Sequence, residues 1–130
     1  MSDQHGLTAL STALAQTERT AAIYVDAEGR IRSWNAGAEA LFGHSPHDAI
    51  GQRADLIVPQ TFRDAHWSGF NKAVQSTWRG SAEWSAIEAL HKNGHLVAVE
   101  VFLLPLERSG DGLHGILAIF RQPAARSAQT

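Results

Sequence analysis

Apolar residues recur along this chain in two rhythms, alternating in an early hairpin and in the last third, helical at the start and in the middle. Leu7, Leu10, Ala13 and Leu14 fall at spacings of three and four, which predicts a leading helix with a narrow apolar face within residues 1–20. Residues 21–26 (AAIYVD) form a strand candidate, and Ala27-Glu28-Gly29 a turn in which glycine supplies a positive φ. Polar and apolar positions then alternate from Arg30 to Trp34, the pattern of a hairpin's second arm. Asn35 is a helix N-cap, Ala36 to Phe42 are helix formers and Gly43 is a C-cap. Ser45-Pro46 reads as a turn or a helix start with proline in first position. Residues 55–58 are short and apolar and end at Pro59.

The longest helical pattern spans residues 61–77. Phe62, His66, Phe70, Ala73, Val74 and Thr77 share one face, which places His66 on the buried side between two phenylalanines. Residues 82–90 predict a strand, and His91-Lys92-Asn93-Gly94-His95 carries the Asn-Gly hairpin signal. The return strand runs over 96–104, with Val97, Val99, Val101 and Leu103 on one face and Leu96, Ala98, Glu100 and Phe102 on the other. Pro105 is expected to end it. Residues 113–121 predict a last strand, and residues 123–130 a flexible tail. Two strands, a helical middle and three strands make an α+β plan: one antiparallel sheet with helices over one face. The core domain is assigned to 21–122, with 1–20 as a flanking helix.

Composition narrows the chemistry. With 130 residues the chain holds one domain, and 44% hydrophobic against 18% charged residues argues for a packed core. The absence of cysteine removes disulfides, thiolate nucleophiles, iron–sulfur clusters and any cysteine–chromophore bond. A net charge of -2 gives no electrostatic footprint for nucleic acid or an anionic membrane. The first residues lack a basic stretch followed by an apolar one, and no apolar run approaches the roughly 20 residues of a membrane span. A cytoplasmic location without membrane or nucleic-acid contact is the expectation.

Val25-Asp26-x-x-Gly29-x-Ile31 leading into Trp34-Asn35 is followed by Asn35-x-x-Ala38-x-x-Leu41-Phe42-Gly43 and Ile50-Gly51-Gln52. Leu56-Ile57-Val58-Pro59, the long helix and His91-Lys92-Asn93-Gly94 then come in turn. In this order the motifs resemble a PAS sensor domain over roughly residues 20–122. The resemblance implies a five-stranded antiparallel sheet with helices over one face and a pocket between sheet and long helix. Within that family, the flavin light sensors and the photoactive yellow protein type need a cysteine that this chain lacks, so no flavin photoadduct is expected. Haem-binding members, such as the oxygen-sensor histidine kinase of nitrogen fixation and the direct oxygen-sensor phosphodiesterase, carry Pro-x-x-x-Arg-x-x-His on the long helix. Pro59, Arg63 and His66 reproduce that spacing.

The resemblance therefore implies haem b held by His66 as proximal ligand and a diatomic gas (O2, CO or NO) or redox signal. The chain departs from it where the kinase has a distal arginine: Ser85 falls near that position, beside Trp84, and Met1 is the only methionine. The expected pocket lining is Phe62, His66 and Phe70 with Val99, Val101, Leu103, Ile116 and Ala118. Arg63 and Arg79 are candidates for haem propionates or plain surface arginines. Trp84 points either inward as an indole donor or outward as a surface aromatic. The competing reading of His66 is a core histidine hydrogen-bonded to protein or to a small ligand, in a haem-free module for an apolar molecule or a protein partner. His44/His47 and His91/His95 have metal-like spacings but no acidic or thiol companions, and read as solvated turn histidines. No nucleophile elbow or phosphate loop is present, so a sensor rather than an enzyme is expected. The leading helix and the Leu96, Ala98, Phe102 face imply a homodimer. No output sequence follows residue 122, so a separate signalling protein is the expected partner if the chain is complete, and an output segment beyond it if the chain is a fragment.

Overall fold

The computed structural model describes residues 20–74, 78–107 and 113–123. The leading helix, Thr77, the loop at 108–112 and most of the tail lie outside the described residues. Strands β1 (Ala21–Asp26), β2 (Ile31–Trp34), β3 (Ser85–Leu90), β4 (Leu96–Glu107) and β5 (Leu113–Arg121) form one antiparallel sheet in the order β2-β1-β5-β4-β3. The two batches of strands join through β1 and β5, paired from Ala21↔Phe120 to Asp26↔Gly115. Between them run α1 (Ala36–Phe42), α2 (Pro46–Ala49), two short 3₁₀ turns (Ala54–Ile57 and Gln60–Phe62) and α3 (Arg63–Val74).

Local chemistry accounts for most boundaries. The Asn35 side chain accepts from Ala38 N at 2.9 Å and Ala22 N at 2.8 Å, and donates to Thr20 O at 2.8 Å. One buried amide thus caps α1 and ties it to β1. Gly43 closes α1 in the left-handed region, φ 91°, with its N–H on Glu39 O. Ser45 caps α2 by accepting from Asp48 N. The β1–β2 turn brings Gly29 N to Asp26 O at 3.0 Å with φ 90° at Gly29. The β3–β4 turn repeats this at Gly94, φ 97°, while Asn93 keeps a negative φ. The second hairpin is therefore a three-residue turn with glycine last, not a two-residue Asn-Gly turn.

The short apolar segment before Pro59 is a 3₁₀ turn over 54–57. Two expected boundaries move. The strand expected over 82–90 begins only at Ser85, because its ladder with β4 ends at Ser85↔Val101 and Ser81 takes over, bonding Leu103 by N–H and hydroxyl. Pro105 does not stop β4, which continues to Glu107 against β5. Leu103 turns its N–H and C=O to Ser81, so Pro105, two residues on, turns its missing donor to the same side, past the end of β3.

The core runs along the inner face of the sheet, with buried residues on all five strands, from Ile31 to Ala89. Trp34, Phe42 and Phe120 interlock, with Phe42–Phe120 centroids at 5.1 Å edge to face and Trp34–Phe42 at 5.9 Å. Trp34 donates its indole N–H to His44 O at 2.9 Å, and Phe42 is wholly buried, about 2–3 kcal/mol of burial for that side chain alone. Part of this face is covered by α3, on which only Phe70 is buried.

Candidate functional site

Side-chain size explains what lies under α3. The helix turns Ala65, Gly69 and Ala73 toward the sheet, and the sheet answers with Ala89 and Ala118. Small residues on both surfaces leave a cavity of about 1140 Å³, ample for a small organic molecule. A side chain added at Gly69 would meet nothing within 4 Å. Ile23, Val25, Ile31, Ile57, Val99 and Val101 supply much of the remaining wall. The cavity opens along the free edge of β3, where Phe62 and Ile87 are 56% and 41% exposed although both line it.

The polar side-chain atoms in this wall belong to His66, the Trp78 indole, and Lys72 and Glu88, the last two exposed at the opening. The His66 ring packs edge-on to Trp67 at 4.7 Å and nearly parallel to Phe70 at 6.4 Å. Nδ1 is buried with no hydrogen-bond partner, whereas Nε2 keeps accessible surface. Burial pushes the imidazole below its ordinary pKa, against the Asp55 carboxylate and with the Arg53 cation. Neutral imidazole is the form the site favours.

Of the residues expected at the site, Phe62, His66, Phe70, Val99, Val101, Leu103, Ile116 and Ala118 all line the cavity. Arg63, Trp84, Ser85 and Arg79 do not. Arg63 spends its Nε–H on Val58 O at 3.0 Å, capping the 3₁₀ turn. Trp84 lies on the outer sheet face, stacked under Arg121 at 3.8 Å and beside Phe102 at 5.5 Å, with Arg121 in turn paired to Glu100 at 2.7 Å. Its outward alternative is the one realised. Ser85 has the inward parity of Val101 but sits exposed at the ladder's end.

The sequence reading missed the support behind His66. Trp67 is clamped between Arg53, 4.2 Å over its ring, and the Asp55 carboxylate, to which its indole donates at 3.4 Å. A tryptophan directly after His66 was visible. Its partners, Arg53 and Asp55, lie twelve or more residues earlier and were not. Trp78, Lys72 and Glu88 were also not anticipated in the wall.

The turn histidines stay apart from the cavity. His91 and His95 stack at 4.6 Å. Burial, then the charges of Lys92 and His91, push His44 below its ordinary pKa, with Asp48 opposing. Among the described residues no group of three or more His, Asp or Glu is placed to hold a metal ion.

A single antiparallel sheet in the order 2-1-5-4-3, with helices over one face and a cavity beneath the longest of them, defines a class of sensory domain. Residues 19–128 match the family model described as PAS fold, and the chain belongs to that family. It is similar to the PAS domain of a Colwellia psychrerythraea protein, with a TM-score of 0.76 and 28% identity over 90% of this chain and 96% of that one. A domain of a sensory box sensor histidine kinase/response regulator from Geobacter sulfurreducens shares the fold, with a TM-score of 0.70 and 19% identity over 92% and 96% of the two chains. An uncharacterized protein of Azorhizobium caulinodans is 31% identical over 94 residues, which are 68% of this chain and 12% of that protein. The chain is thus a sensory domain of the kind used in signal transduction. None of its described helices is long and apolar enough to cross a membrane.

Proposed function

We propose that this domain senses one small, largely apolar molecule, bound between α3 and the sheet, and that its occupancy is passed to a separate signalling protein. The observation that carries this is the cavity of about 1140 Å³, walled by aliphatic side chains around a single imidazole. An opening so apolar is stabilised when a molecule displaces its water, and the few polar groups fix that molecule's orientation. On the outer sheet face, Phe102, Leu104, Leu117 and Ile119 offer half-exposed apolar surface for a second copy of the chain. The domain works, on this reading, as a homodimer.

One observation favours a second reading, in which the molecule is haem b and the signal a diatomic gas or redox change. His66 stands on the cavity wall and makes no hydrogen bond through its buried Nδ1, which leaves the imidazole available as a proximal ligand. The cavity's size and apolar lining suit a macrocycle. The Nδ1 side suits it less, because a metal-bound histidine almost always donates its other N–H to an acceptor. Bound there, haem would supply iron as the gas- or electron-accepting centre; His66 would hold it and the aliphatic walls would exclude water.

Titration of the purified protein with the neutral fluorophore N-phenyl-1-naphthylamine tests the first reading. Saturable binding near one per chain is expected, lost in Gly69→Phe, whose ring enters the open space at residue 69. Unchanged binding by that variant refutes it. A parallel haemin titration decides the second: a Soret spectrum dependent on His66 but indifferent to His44→Ala establishes haem, and no uptake removes it.

A further inference from the structure

The orphaned side of His66 fixes what its open side can do. A neutral imidazole carries one N–H, on Nδ1 or on Nε2. Nδ1 is covered by protein and has no acceptor. The neighbouring Trp67 ring, at 4.7 Å and 74°, offers only a π-face contact, second-order beside a hydrogen bond. A buried N–H without an acceptor is rarer and costlier than a buried lone pair without a donor. The proton therefore belongs on Nε2, which keeps accessible surface on the cavity wall.

We infer that His66 presents an Nε2–H donor to the cavity, and that the molecule bound there is uncharged and meets this donor with a carbonyl or ether oxygen. The inference rests on the cavity being the binding site proposed above. Charge is disfavoured by the wall itself. The cationic and anionic side chains that reach it, Lys72 on α3 and Glu88 on β3, are exposed at the opening and opposite in sign. A carboxylate or ammonium carried to the depth of His66 would lose its water and meet aliphatic carbon. The depressed pKa of His66, set by burial, keeps the ring neutral at pH 7 and above. The same tautomer sets His66 against iron, which needs a lone pair where this ring carries a proton.

Two measurements on the full chain test this. Long-range ¹H–¹⁵N correlation of the imidazoles at pH 8, with His66 assigned through His66→Leu, is expected to show the Nε2–H tautomer; the Nδ1–H tautomer overturns the inference. Binding of 2-acetonaphthone is then compared with 2-isopropenylnaphthalene, which has the same shape but no oxygen, and with 2-naphthoate. The ketone is expected to bind wild type about tenfold more tightly than the hydrocarbon, the naphthoate more weakly than the ketone, and His66→Leu to bind ketone and hydrocarbon alike. Equal binding of ketone and hydrocarbon by wild type overturns the donor while leaving the cavity as a site. Tighter binding of the naphthoate overturns the exclusion of charge. Binding of none of the three overturns the cavity reading and the ligand class with it.

Discussion

Replacing His66 by leucine should leave the empty protein about as stable at pH 8 and make it more stable in acid, while it loses its ligand selectivity. The substitution removes a buried nitrogen that has no partner, a relief of about 1–3 kcal/mol. Against this stand the ring contacts to Trp67 at 4.7 Å and Phe70 at 6.4 Å, each about 0.5–1.5 kcal/mol beyond area burial, which leucine does not recover. At pH 8 the two sums nearly cancel, and the expected change lies within about 1 kcal/mol of zero. Acid should open a gap. The native pKa of His66 lies below its ordinary 6.5, so on acidification the unfolded chain takes up the proton first and the wild type loses stability below about pH 6.5. His44 is shifted the same way but is common to both proteins and cancels. Urea unfolding at pH 8 and pH 5.5, followed by tryptophan fluorescence, measures both differences. A loss above about 1 kcal/mol at pH 8, or a gap that fails to grow on acidification, would show the imidazole to be a structural element and not a ligand contact held at a cost.

Three further outcomes are expected. Asn35→Ala removes an N-cap and strands the buried Ala22 N–H, a loss of about 3 kcal/mol; urea unfolding showing under about 1 kcal/mol would mean the amide is replaceable by water. Gly69→Ala adds a methyl in open space on a helix and should raise stability by about 0.5–1 kcal/mol, read as a higher melting temperature with the fluorophore still bound. Burial opposes ionisation of Asp26, but the N–H of Arg30, the Arg32 guanidinium and the N–H of Glu28 hold its carboxyl below its ordinary value. Its contribution is therefore present above about pH 3.8 and lost as pH falls through the native value, so Asp26→Asn should flatten the acid limb of a stability–pH curve.

What could be read in the sequence was whatever short-range chemistry decides. Asn35, Gly43, Ser45 and Gly29 each act through backbone groups within a few residues, and each sits where its pattern puts it. Alternation over residues 96–104 placed Val99, Val101 and Leu103 inward, and helical spacing placed Phe62, His66 and Phe70 on the cavity side. Long-range pairing was less legible. β3 stops short because Ser81, not residues 82–84, bonds Leu103, and Pro105 is tolerated because no strand lies on its donor side. Trp84 faces outward because the guanidinium of Arg121, from another strand, covers it. Nor does local pattern reveal that the residues opposite Ala65, Gly69 and Ala73 would also be small, the coincidence that leaves the cavity hollow.

A ligand seated between α3 and the inner face of the sheet touches the inward side chains and not the outer ones. Methyl-resolved ¹H–¹³C spectra of the wild-type chain, recorded with and without 2-acetonaphthone, separate the two faces. Shifts are expected at the inward methyls of Val99, Val101, Leu103 and Ile116, with Leu104, Leu117 and Ile119 on the outer face unmoved. Shifts confined to those outer methyls would contradict that seating.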